Sequence, residues 1–229
     1  LRIDNEPTPC PLSIQCPAAP PPPESPFGYD GGLYLRTADR KYTLNINGFA
    51  QLLYVLNAPD GGSINQGFYL GLGRLAFSGN IFSPKFNYFF QFEGSTFGNN
   101  NGIAMLDWWL QYKVSRYFSI TAGRFILPYS RQFYTHPGNL LFADLSPADY
   151  AFNMPRAIGV KLGGTVSRLS YDVFVVNSVR PLGVGTQVNR GDHIAAGARL
   201  ELAILTPYGY METMPNEPDK PQFSIGLAA

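Results

Sequence analysis

The sequence predicts an all-β fold, a transmembrane antiparallel β-barrel. Three observations predict it. The first is composition: of 229 residues only 14% are charged and another 14% are aromatic, with 24 glycines, whereas an ordinary soluble domain is about 25% charged. The second is alternation: from Tyr42 onward apolar and polar residues follow each other with period two, so mean hydropathy stays near zero while one face of each segment is apolar. The third is that the connections between these segments alternate long and short. No apolar run approaches the ~18 residues of a membrane helix, and 3.6-residue spacing is absent. A net charge of +1 gives no reason to expect nucleic acid or an acidic partner.

Taken in order, residues 1–29 come first. They hold nine prolines, including Pro20-Pro21-Pro22-Pro23, and cannot bury a core, so they are expected to be extended or polyproline-like. Two readings stand: a flexible linker, or a periplasmic strap that docks on a partner or the cell wall. The opening Leu1-Arg2-Ile3-Asp4 lacks a basic start and apolar run, as expected of a processed N-terminus. Cys10 and Cys16 are a candidate disulfide, which would imply an oxidising compartment. No Cys/His spacing for a metal accompanies them, and no cofactor is expected.

The strands follow. In Tyr42–Tyr54 the even positions are Tyr42, Leu44, Ile46, Gly48, Ala50, Leu52 and Tyr54, against Thr43, Asn45, Asn47, Phe49, Gln51 and Leu53. Successive strand side chains point to opposite faces, so this is a two-sided strand with tyrosines at its ends. The pattern returns in Phe86, Tyr88, Phe90 and Phe92, and in Leu106, Trp108, Leu110, Tyr112 and Val114. It returns again in Ile158, Val160 and Leu162, in Leu169, Tyr171, Val173 and Val175, and in Ile194, Ala196, Ala198, Leu200 and Leu202. About nine membrane-crossing strands are expected, the last from Gln222 to Ala229.

The long connections are 57–66, 97–103, 127–155 and 178–192, and the short ones 82–85, 115–117 and 167–168. Outer-membrane barrels keep short turns on the periplasmic side and long loops outside, whereas a sandwich has no reason to. Stretch 205–221 breaks the rule and its length has no explanation in the sequence.

Strand parity assigns the inward, pore-lining charges: basic Arg74, Lys113, Lys161 and Arg199, acidic Glu93, Asp107, Asp172 and Glu201. The 127–155 loop adds Arg131, His136, Asp144 and Asp149. Arg124 and Arg156 fall on the lipid side by parity and are assigned to the rim, the pore mouth being their other placement. No catalytic constellation is present. His136 and His193 read as plain polar residues, and Glu93 and Asp107 as wall carboxylates rather than a glycosidase pair.

Leu44-Asn45-Ile46-Asn47-Gly48, Gly73-Arg74-Leu75 with Gly79, and Gly123-Arg124-Phe125 with Pro128-Tyr129-Ser130 occur in that order. Arg156-Ala157-Ile158-Gly159-Val160, Tyr171 with Phe174 and Asn177, and Ala198-Arg199-Leu200 follow. This series resembles the phosphate-selective porin O/P family, from about Phe27 to the end. The resemblance implies a barrel of about sixteen strands in the bacterial outer membrane, its N-terminus periplasmic. It also implies a homotrimer whose long third loop, here 127–155, folds into the pore as a constriction. Residues 30–229 would then supply the N-terminal part of such a barrel, about half of it. Phe49, Leu72 and Ile126 stand where the family often has basic residues, and the inward charges balance. The expectation is passive diffusion of small polar solutes or anions, with weak anion preference. The alternatives are a structural barrel that sheathes or anchors a partner, and a soluble β-sandwich.

Overall fold

The computed structural model describes residues 25–96, 102–142, 144–152, 154–177, 193–206, 209–212 and 220–229. Cys10 and Cys16, and with them the candidate disulfide, lie outside these residues. So does most of the Pro-rich segment.

Eleven strands form one sheet in strict chain order, each antiparallel to the next. They are β1 (Phe27–Tyr29), β2 (Leu33–Arg36), β3 (Thr43–Asn57), β4 (Asn65–Asn80), β5 (Phe86–Gly94), β6 (Ile103–Ser115) and β7 (Phe118–Ile126), followed by β8 (Arg156–Val166), β9 (Leu169–Asn177), β10 (Ile194–Ala203) and β11 (Ser224–Ala228). The sheet is open, with β1 and β11 at its edges. Among the described residues no helix is long and apolar enough to cross a membrane.

The nine expected strands correspond to β3–β11. The β1–β2 hairpin is additional, and its first strand lies inside the segment read as a Pro-rich tail. Strands of three and four residues carry too few alternations to register as a period. Gly31, at φ +63°, supplies the left-handed turn between them. Within the 127–155 connection, α1 (Arg131–Tyr134), a 3₁₀ turn (Pro137–Asn139) and α2 (Pro147–Phe152) appear where no helix was expected. Each is too short for a helical period to show. Ser130 caps α1 through the Phe133 N–H, and Pro147 opens α2, where a missing N–H costs nothing.

Alternation survives in the structure. Leu52, Tyr54, Leu110, Val160, Val175 and Leu200 point to one face and are exposed. The opposite face carries the polar positions, and the 127–155 connection lies over it. Three irregularities shift the register: Gly71 is extra between Leu70 and Leu72, Leu106 between Met105 and Asp107, and Val114 between Lys113 and Ser115. Leu106, expected among the outward residues, is instead buried, because the extra residue breaks the parity that placed it.

Candidate functional site

Antiparallel register lines the loop-covered face in rows. Phe49, Arg74 and Glu93 are direct neighbours across β3, β4 and β5. Trp109, Gly123, Gly159, Val176 and Ala195 form a row from β6 to β10. Asp172 and Arg199 face each other on β9 and β10. Under the loop this face is apolar: Phe125, Leu127, Ala157, Phe174 and Val176 form a buried cluster, with Trp109 and Ala195 against it. Phe89 stacks on Trp109, 5.4 Å between ring centroids. These inward aromatic and apolar residues were legible as parity but not as a core, since alternation alone does not say what covers a face.

Most of the charges on the same face are paired. Arg74 Nε donates to Glu93 Oε2 at 2.6 Å, as their opposed positions on β4 and β5 require. Lys161 donates to the Tyr134 hydroxyl at 3.1 Å and lies 3.6 Å from Asp172. Arg199 donates to Glu201 Oε2 at 2.8 Å and to the Tyr129 carbonyl at 3.2 Å, while its buried Nε has no hydrogen-bond partner. Glu201 also accepts from Tyr210, at 3.1 Å, and pairs with Arg131 at 3.5 Å. Lys113 stands apart, exposed opposite Ser119.

Asp107 finds a partner that sequence parity had put elsewhere. Arg156 Nε donates to both Asp107 oxygens, at 3.0 and 3.1 Å. The two residues are 8% and 3% exposed, and the guanidinium lies over the Phe133 ring. The rim assignment of Arg156 is therefore corrected. Its backbone keeps register opposite Ile126, but its long side chain reaches across to a buried carboxylate that demands a counter-charge. Arg124 donates to the Met105 carbonyl across the strand pair.

The loop residues divide. Arg131 reaches Glu201 and donates to the Gly209 carbonyl at 2.6 Å. His136 packs edge-on against Phe49, 5.1 Å between centroids, and its Nδ1 accepts the Gly138 N–H. Burial, then the nearby Arg74 charge, lowers its pKa. Asp149 is buried and accepts from the Ser130 hydroxyl. Burial raises its pKa against that bond, and its second oxygen has no hydrogen-bond partner. Asp144 is exposed and accepts the Leu145 N–H. His193 is exposed beside β10.

Sequence reading missed Tyr129, Tyr134, Tyr210 and Glu212. They lie in connections, where no period assigns a direction. A cavity of about 590 Å³ opens between the loop and β10–β11, lined in part by Tyr129, Arg131, Arg199 and Glu201. Among the described residues no cluster of His, Cys, Asp or Glu has the geometry to hold a metal.

A face of paired charges, covered by a loop and backed by an apolar outer face, is the build of a channel wall. No curated protein matches the chain. Residues 41–210, which include every strand from β3 to β10, match the family model of phosphate-selective porin O and P, so the chain belongs to that family of channel-forming proteins of the bacterial outer membrane.

Proposed function

We propose that the protein is a general-diffusion porin for small polar solutes and ions with a weak preference for anions. Its loop-covered face lines the water-filled lumen, the 127–155 loop is the constriction, and the exposed apolar face meets lipid. The N-terminal segment is periplasmic and the porin is a homotrimer, as the family resemblance implies. The observation that carries the selectivity is the pairing of wall charges. Arg74, Lys161 and Arg156 each have a carboxylate partner, and Arg199 and Arg131 share Glu201. Fixed charge sets the selectivity of a wide pore, and a paired guanidinium offers less field to a passing anion than a bare one. Counting the wall and the loop together, Arg74, Lys113, Lys161, Arg199, Arg156 and Arg131 stand against Glu93, Asp107, Asp172, Glu201, Asp144 and Asp149. The residual field is therefore small, and the weak preference for anions is what the family resemblance implies.

Reversal potentials across planar bilayers in a salt gradient test this. The expected result is a modest anion preference at moderate salt that fades as salt screens the wall. Strong anion selectivity, or block of the chloride current by low-millimolar phosphate, would overturn it.

A further inference from the structure

The stretch that broke the alternation of long and short connections now has a structural counterpart. At the end of the sheet that carries the short turns, β4–β5, β6–β7 and β8–β9 are joined closely, yet Ala203 and Ser224 are joined by a far longer excursion. The two arms stay together as far as the Thr206–Gln222 bridge, with the Ile204 N–H donating to the Phe223 carbonyl. Residues 209–212 reach the 127–155 loop, which enters from the opposite end of the sheet.

The contacts there are specific. Glu212 accepts the Leu141 N–H on one carboxylate oxygen and the Gln132 side-chain amide on the other, both at 3.1 Å. Its own N–H donates to the Asn139 carbonyl at 2.8 Å. Gly209 takes the Arg131 guanidinium on its carbonyl. Tyr210 packs against Tyr134, 5.3 Å between centroids, lies under the Arg131 guanidinium and donates to Glu201. The same Gln132 side-chain amide is anchored through its oxygen, which accepts the Ser146 N–H. Glu212 thus ties together residues that come before and after the 3₁₀ turn of the loop.

We propose that residues 209–212 are a clasp that holds the constriction loop in the lumen from the opposite rim, with Glu212 its positioning residue. The clasp rests on the porin reading above. It explains the length of the connection: a short turn at that rim could not reach the loop. It also places a carboxylate beside the constriction, which lowers the local anion field. Losing the Glu212 side chain removes two hydrogen bonds to a charged group, so the loop should be released at least about 10-fold more often.

The test uses the full-length porin in planar bilayers, recording open-channel current noise and reversal potential. Glu212→Ala should give a noisy channel with about 10-fold more frequent brief conductance steps. Glu212→Gln keeps an acceptor for the Leu141 N–H, so it should be quieter than the alanine variant while shifting reversal potential toward anions. Gln132→Ala, on the loop side, should reproduce part of the noise if Glu212→Ala does not insert. Wild-type-like records from Glu212→Ala, or from Gln132→Ala in its place, would overturn the clasp. An absence of conductance in the wild-type protein would instead overturn the porin reading.

Discussion

Arg156 shows what a single side chain can hide from a parity argument. Its Cα follows the alternation of β8, yet its guanidinium bends to the loop-covered face and meets Asp107 where both are nearly inaccessible. Removing one partner of such a pair leaves a buried charge uncompensated, a cost of about 3–5 kcal/mol. Arg156→Ala should therefore lower the unfolding midpoint of the detergent-solubilised protein clearly, whereas Lys113→Ala, at an exposed position, should leave it nearly unchanged. Equal small shifts would mean that the pair carries no such weight. His136 carries a second consequence at this scale. Only a neutral ring accepts the Gly138 N–H on Nδ1, and burial and Arg74 hold its pKa below the usual 6.5. The docked loop binds fewer protons there than a released one, so acid favours release. This contribution is complete above pH 6.5 and is lost as pH falls from there through the lowered value. Asp149 runs the other way: its pKa is raised above 3.8, so its contribution is full below that pH and fades as pH rises through the raised value. Single-channel records should show loop events becoming more frequent below about pH 6.5, and His136→Gln should abolish or reverse that trend by leaving Asp149 alone. A trend that survives His136→Gln would remove the histidine from the account. Tyr210, whose pKa burial pushes up to about 12, stays protonated throughout and remains a donor to Glu201.

At the scale of elements, the strands were legible because a two-sided wall forces period two on its sequence. The places where reading failed are those where the backbone departs from that repeat. Leu106 is displaced by a bulge, and β1 and β2 are too short to show a period. The helical turns of the loop were invisible for the same reason, as their stability comes from docking rather than from their own few residues. Gly123 marks another departure. It sits at φ +130° in β7, and a Cβ there would lie 2.2 Å from the Trp108 carbonyl oxygen. Both strain and overlap oppose any side chain, and strained backbone alone costs about 1–3 kcal/mol. Gly123→Ala should loosen the β6–β7 pair, read as faster amide exchange at Trp109 and Gln111 than in the parent. Unchanged exchange there would show that the strand absorbs the methyl.

At the scale of the whole molecule, the low share of charge and the near-zero mean hydropathy come from one cause: two faces with opposite solvents. The sequence by itself determined the all-β class, the order and antiparallel pairing of the long strands, and which residues of each regular strand share a face. Neighbouring segments joined by short turns can pair only one way, and strand parity needs no tertiary information. The balance of four basic and four acidic residues that strand parity assigns inward is the sequence's share of the proposed weak selectivity. Only the tertiary structure decided which charges neutralise each other, that Arg156 belongs among them, and that Phe125, Phe174 and Val176 form an apolar bed under the loop. It alone brought Glu212 to Gln132 and Leu141. The physical reason is that these contacts join residues far apart in sequence through connections that have no period. Their partners are set by where two excursions meet across the same face of the sheet, and nothing local in either one encodes the other.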